Sequence, residues 1–321
     1  MKAIVVDHPG GPEVLRLRDV EPTEPGPHDL AVAITAAGVN YMDVGTRTGQ
    51  YGPPLPHVPG VEGAGTVTAI GSAVTDFAVG DRVAWYFAWG SYAERIVLPA
   101  SAAVPIPAGI DDETAASVMM QGLTAHHLAT ATYAVRPGDT ALVHSAAGGV
   151  GLLLTRIVKA RGGHVIARVS TEEKADIARA AGADHVVVST GGGFADEVRK
   201  ITGGEGVAVA YDGAGATTFA DSLASLGYHG VLAYYGQTIA AQPPVDLTTL
   251  PRSVLVTYPV VQDHIRTRED LLAHTGDLFG WLLDGTLAHR IGGRYPLADA
   301  ARAHTDLESR RTTGKLLLLP G

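Results

Sequence analysis

The stretch that most narrows what this chain can become is His144-Ser145-Ala146-Ala147-Gly148-Gly149-Val150-Gly151. An apolar run, Thr140 to Val143, precedes it, and an apolar helical pattern, Leu152 to Val158, follows. Strand, glycine-rich turn and helix in that order are the context of a dinucleotide fingerprint. Small residues let the backbone approach a pyrophosphate, and the helix N-terminus offers unpaired N–H groups and a partial positive charge. The pattern is A-x-G-x-x-G, with Ala146, Gly148 and Gly151 in the key places. A tight turn of purely structural use has the same composition, so the surrounding rhythm has to decide.

From Thr140 onward that rhythm alternates strand with helix. Strands are predicted at Thr140–His144, His164–Val169, His185–Val188, Val207–Tyr211, Val231–Tyr235 and Ser253–Thr257, with helices at Leu152–Ala160, Lys174–Ala181, Phe194–Ile201 and Thr217–Ala224. Such alternation gives a doubly wound parallel sheet with helices on both faces, and six strands complete a dinucleotide-binding domain. The first hundred residues read differently. Short strands at Ala3–Val6, Leu15–Asp19, Leu30–Ala36, Gly65–Ile70, Arg82–Trp85 and Ala93–Val97 are separated by Pro- and Gly-rich connectors, as in a barrel-like β-domain. A helix from about Glu113 to Ala131 links the two regions. Helices at Arg268–Leu283 and Leu297–Glu308 and a strand at Lys315–Leu319 have no βαβ rhythm and read as a return to the first domain.

Composition removes several function classes. The 321 residues carry a formal charge of -9 with no basic tail, which argues against nucleic acid and anionic membranes as partners. There is no cysteine, so thiolate catalysis, disulfides, iron–sulfur clusters and cysteine-bound zinc are excluded. Neither a leader pattern nor an apolar run of transmembrane length stands out, and a soluble, cytoplasmic protein is expected.

Several fragments, in order and spacing, resemble the zinc-free quinone oxidoreductases (zeta-crystallin-like) of the medium-chain dehydrogenase/reductase superfamily. They include Gly38-Val39-Asn40-Tyr41-Met42-Asp43, Pro59-Gly60-Val61-Glu62-Gly63, Val79-Gly80-Asp81-Arg82-Val83, Ala146–Gly151, Ile201-Thr202-Gly203-Gly204 and Glu308-Ser309-Arg310. The resemblance implies an α/β fold, a GroES-like β-domain with an inserted Rossmann doubly wound parallel sheet. The expected division is 1–120 plus 259–321 for the first and 121–258 for the second. Where the alcohol dehydrogenase branch has a zinc-ligating His before Glu62, this chain has Val61. Zinc-activated chemistry is therefore not expected.

The second strand ends without an acid, and Arg168, Ser170 and Lys174 would suit the 2′-phosphate of NADPH. The family has an NADP-binding Lys at the position of Lys174, and Ser189 replaces a Tyr that stacks near the phosphate in some relatives. Ser170-x-x-Glu173 also reads as a capping box for the following helix. The resemblance adds cofactor contacts at Asn40, Asp43, Thr124, Ala147, Gly148, Gly149, Val150, Gly151, Gly213, Ala214, Tyr235, Gly236, Gln237, Val256, Tyr258 and Arg310. For Arg310 and Lys315 a complement to a helix dipole is the alternative use.

Hydride transfer relies on the cofactor's chemistry, leaving the protein to orient, exclude water and stabilise developing charge. Asn40, Tyr51, Gln121 and Thr124 are the catalytic candidates. Gln121 and Thr124 share a helix face, while the resemblance puts Asn40 and Thr124 near the nicotinamide and Tyr51 near the substrate. Asn40 and Asp43 also fit a simple Asx turn. Gly45 replaces a Tyr that faces the cofactor in several relatives, which predicts a more open pocket. Adjacent His126 and His127 point apart on a helix and form no joint site. The expected activity is NADPH-dependent reduction of quinones or related electrophilic carbonyl compounds. Enone or enoyl C=C reduction and an NADPH-binding structural or redox-sensing role remain open, and a homodimer is expected from the family.

Overall fold

The computed structural model describes residues 1–236 and 244–321 and divides into two compact units. One comprises Met1–Met120, Thr267–Leu283 and His289–Gly321; the other comprises Gln121–Arg266 and Asp284–Ala288. The second unit therefore runs on past Tyr258 to Arg266, further than the sequence predicts. Its last helical turn, Val261–His264, is held by His264, whose ring stacks on His127 at 4.5 Å.

In the first unit, strands at Ile291–Pro296, Lys315–Leu319, Asp29–Val39, Glu62–Ile70, Arg82–Tyr86 and Ala103–Pro105 lie side by side in that order. Arg95–Pro99 pairs with Asp29–Val39 as well. The core beneath is built from Leu30, Val32, Ile34, Val67, Val83, Trp85, Leu98, Leu316 and Leu318, all buried. Alternation explains the assignment, since every second residue of Arg82–Tyr86 belongs to that core. Asp29–Val39, with eleven residues, is the sheet's backbone and ends at Asn40. A short helix, Tyr41–Arg47, begins there.

The second unit is a six-stranded, wholly parallel sheet in the order His185–Val188, His164–Val169, Thr140–Val143, Val207–Asp212, Leu226–Tyr234, Leu255–Thr257. That order is the doubly wound one, and its switch point falls beside Thr140–Val143, where such sheets bind ligands. The helix Gly149–Ala160 buries Leu152, Leu153, Leu154, Ile157 and Val158. Leu226–Tyr234 starts five residues before the predicted strand, because Gly227 and Gly230 are accommodated within it rather than ending it. Among the described residues no helix is long and apolar enough to cross a membrane.

Candidate functional site

In the second unit the chain leaves the strand Thr140–Val143 through His144 and bends at Ser145, whose φ is 48°. The Ser145 carbonyl accepts the Gly148 N–H at 2.8 Å, and Gly148 starts the helix Gly149–Ala160. The helix's first N–H groups lack intrahelical acceptors and face the turn. The glycines are required by space. A Cβ on Gly151 would collide with the Ser145 carbonyl and lie 2.7 Å from the Ala146 Cα. A Cβ on Gly149 would strike the Gln121 carboxamide, whose Oε1 is buried and accepts no hydrogen bond among the described residues. Gln121 thus lies against the turn, and Ala147 and Val150 complete it. Thr124 is half-buried one turn further along the same helix.

A second cradle forms at the ends of the next two strands. A Cβ on Gly236 would come 2.7 Å from the Gly213 carbonyl carbon, and one on Gly213 would meet the Tyr235 ring at 2.6 Å. Asp212 ties this loop down, accepting from the Ala214 N–H at 2.9 Å and from the Thr218 hydroxyl at 2.9 Å. The Ser222 hydroxyl donates to Asp212 at 2.7 Å and lies 3.0 Å from His144 Nε2. His144 is wholly buried, which pushes its pKa down to about 4 against the opposing pull of Asp212. A neutral imidazole therefore stands between Ser222 and the Phe194 ring where the strand passes into the turn. Val256 is half-buried and Tyr258 exposed, its ring 6.4 Å from that of Tyr234. Gln237 lies outside the described residues.

The end of the second strand separates the phosphate candidates. Arg168 is turned inward, with Nη2 donating to the Gly191 carbonyl at 2.6 Å and its guanidinium 5.1 Å over the Phe194 ring. Ser189 donates to the same carbonyl at 2.9 Å. The helix Glu172–Ala180 is capped by Thr171, which accepts from the Lys174 N–H at 3.3 Å, so the capping register is one residue later than the sequence predicts. Ser170 is thereby released from capping. Lys174 is half-buried, and desolvation lowers its pKa.

The first unit holds a different cluster. The register that pairs Leu316 with Val39 brings Lys315 beside Asn40, and the one that pairs Gly63 with Ala37 brings Glu62 beside Gly38. Over the bare Gly38 backbone the three side chains meet. Lys315 Nζ donates to Asn40 Oδ1 at 2.8 Å and pairs with Glu62, while Asn40 Nδ2 donates to Glu62 at 2.6 Å. The other Glu62 oxygen accepts the Met120 N–H at 2.6 Å. All three side chains are buried. A donor-only ammonium and an acceptor-only carboxylate leave the Asn40 amide a single orientation. A Cβ on Gly38 would lie 2.6 Å from Glu62 Cδ and 2.7 Å from Lys315 Cε. Glu62 and Lys315 were not among the predicted site residues. Lys315 completes no helix dipole; it opens a buried strand, and a lysine ahead of a leucine run needs an acid partner.

Asp43, at the start of the helix Tyr41–Arg47, accepts from the Asn40 N–H at 2.8 Å and from the Tyr92 hydroxyl at 2.9 Å. Complete burial pushes its pKa up to about 7, against those hydrogen bonds. Tyr51 is 42% exposed, and its ring lies directly over Gly45. The pocket is therefore not opened at Gly45; the missing side chain makes room for Tyr51. Arg310 is exposed, with a left-handed φ of 56° after the helix Ala300–Glu308.

A doubly wound sheet with a dinucleotide turn, spliced into a β-domain that resumes at the C-terminus, defines an oxidoreductase of the medium-chain dehydrogenase/reductase type. Residues 26–108 match the alcohol dehydrogenase GroES-like domain family and residues 149–271 the zinc-binding dehydrogenase family. The chain is 43% identical to a quinone oxidoreductase of Pseudomonas aeruginosa, with 97% of each chain covered. The structure superposes on Escherichia coli quinone oxidoreductase complexed with NADPH (TM-score 0.96, 37% identity, all of both chains). It superposes equally on mycobacterial Rv1454c complexed with NADPH (TM-score 0.96, 45% identity, all of both chains). The chain belongs to the quinone oxidoreductase family. Although one matched family is described as zinc-binding, the described residues contain no group of three His, Cys, Asp or Glu side chains able to hold a metal.

Proposed function

We propose that this protein is an NADPH-dependent reductase that delivers a hydride to quinones or related electrophilic carbonyl compounds without using a metal. The observation that carries the reading is the Ser145–Gly151 turn. There two glycines lack the room for a Cβ, and the first helix N–H groups have no intrahelical acceptor beside the sheet's switch point. The Gly213 and Gly236 contact offers a second close backbone approach. NADPH supplies the hydride when bound; the protein's part is to bind, orient and keep water out.

Ser170 and Lys174 are the residues proposed to select the 2′-phosphate. Ser170 is freed by the Thr171 cap, and a partly buried lysine gains from an anionic neighbour. Arg168, committed to Gly191 and Phe194, shapes that loop. Asn40, locked by Lys315 and Glu62, is proposed to orient the nicotinamide and Thr124 to contact it. Tyr51 is proposed to meet the substrate, with Gln121 and Tyr235 bounding the cofactor's backbone. The relatives' NADPH complexes support the cofactor and their quinone oxidoreductase names the substrate class. A cytoplasmic homodimer joined at the sheet edge Leu255–Thr257 completes the reading.

Steady-state rates with a quinone test the cofactor assignment. The kcat/KM for NADPH is expected to exceed that for NADH at least tenfold, and Lys174→Ala to reduce that preference about tenfold, the loss of one charge-assisted contact. A preference for NADH contradicts the assignment.

A further inference from the structure

The two glycine cradles of the dinucleotide site follow adjacent strands, Thr140–Val143 and Val207–Asp212, which pair from Val209 with Ala141 to Tyr211 with Val143. One residue further along that register stand Asp212 and His144, both wholly buried. The His144 N–H donates to the Tyr211 carbonyl at 3.1 Å, so the backbone ladder continues to the edge of the turn. The two side chains do not meet directly. His144 Nε2 is 4.0 Å from Asp212 Oδ2, and burial pushes the imidazole pKa down to about 4. At neutral pH there is no ion pair between them, and the link falls to Ser222.

Ser222, on the helix Phe219–Ser225, is within hydrogen-bond distance of both. Its single proton has two acceptors in reach, Asp212 Oδ2 at 2.7 Å and the Thr218 carbonyl at 2.9 Å. With either choice Oγ is left to accept, so His144 Nε2 carries a hydrogen and donates it at 3.0 Å. The order is imidazole, hydroxyl, carboxylate. A serine nucleophile needs the imidazole as its base, whereas this hydroxyl accepts from it, and all three groups are sealed from solvent. The cluster holds position; it does not react. Asp212 passes the hold to its loop, with Oδ1 accepting the Ala214 N–H at 2.9 Å and the Gly215 N–H at 3.4 Å. That loop is the one against which Gly236 packs, since a Cβ there would lie 2.7 Å from the Gly213 carbonyl carbon and 3.0 Å from the Gly215 nitrogen.

We propose that Ser222 is a positioning residue for the cofactor, setting the Gly213–Gly215 loop against the Ser145–Gly151 turn through Asp212 and His144. In a doubly wound sheet the two mononucleotide halves are bound on opposite sides of the switch point. Ser170 and Lys174 follow the strand His164–Val169 on one side, and the Gly213 and Gly236 cradle lies on the other. A dinucleotide spans both sides, so its affinity depends on their spacing, while half a cofactor depends on one side alone. This rests on the NADPH reading and adds to it the residue that keeps the two sides in register.

The test measures dissociation constants of NADPH and of 2′,5′-ADP, the phosphorylated adenosine half alone, in the wild type, Ser222→Ala, His144→Leu and His144→Gln. Ser222→Ala is expected to weaken NADPH about tenfold, the loss of one buried hydrogen bond to a carboxylate, and 2′,5′-ADP by less than about twofold. His144→Leu fills the space beside Phe194 without a donor and is expected to weaken NADPH about fivefold. His144→Gln, which puts an amide N–H at the reach of Nε2, is expected to recover the wild-type affinity. A role confined to folding would lower the melting temperature and leave the ratio of the two constants unchanged. That result, or a His144→Gln no better than His144→Leu, overturns the proposal. Should Ser222→Ala not fold, the two His144 variants decide it. If the wild type binds no NADPH, the cofactor reading fails, and hydrogen exchange of the free protein decides the brace. Faster exchange over residues 212–218 in His144→Leu than in His144→Gln supports it; equal exchange overturns it.

Discussion

Three buried titratable side chains set opposing pH dependences. Asp43 is held near pKa 7, against 3.8 for an ordinary aspartate, while His144 and His304 are pushed down to about 4 and about 3 by desolvation. Near pH 5 the unfolded chain protonates both histidines and ionises Asp43; the folded chain does the reverse. The unfolded state then holds two of these protons and the folded state one, so stability rises with pH by about 1.4 kcal/mol per unit from these groups. Asp43 acts with the opposite sign to the histidines: a carboxyl pKa raised in the folded state gives stability that is lost as pH rises from about 4 to about 7, after which both states are ionised and the slope from these groups fades. Asp43→Asn keeps an oxygen for the Asn40 N–H and the Tyr92 hydroxyl and removes the titration. Denaturant melts from pH 4.5 to 8 are expected to show a limb between pH 5 and 6 that is steeper by about one proton in the variant, and nearly equal slopes above pH 7. Parallel curves for the two proteins contradict the assignment. None of this was legible beforehand. The sequence offers Asp43 as a cofactor contact or a turn residue, and only the register over Gly38 reveals that Lys315 and Glu62 share its neighbourhood.

At the scale of elements, strong periodicity was legible and local geometry was not. The parallel strands announced themselves as β-branched runs between helices, and His164–Val169 and His185–Val188 match the structure. Ile291–Pro296 went unread because Gly292 and Gly293 break its pattern, and it forms only by pairing with Lys315–Leu319. The Thr171 cap was misplaced by a residue because Ser170 and Thr171 both cap well, and tertiary position chooses between them. Leu255–Thr257 is legible as a strand and ends the sheet, with no strand beside its outer edge among the described residues. Leu255 there is 63% exposed, and nearby Tyr258 is 51% exposed. An apolar open edge invites pairing with a second copy. Solution scattering is expected to give a dimer mass for the wild type and a monomer mass for Leu255→Lys. A monomeric wild type contradicts the proposed assembly.

For the whole molecule, the absence of βαβ rhythm after residue 266 was the readable sign that the chain returns to its first unit. The return supplies Lys315 to Asn40 and Glu62, a contact between residues 253 and 275 positions apart that no local pattern encodes. The dinucleotide turn was legible because its glycines answer to a local requirement, the close approach of backbone to backbone at Ser145 and Ala146. The central claim is hydride delivery from NADPH to a quinone. Anaerobic single-turnover mixing of the NADPH-loaded protein with naphthoquinone tests it most directly, using NADPH with and without deuterium at the transferred position. The account predicts one NADPH consumed per quinone reduced, and a slower turnover with deuterium; bound NADPH that survives excess quinone would contradict it.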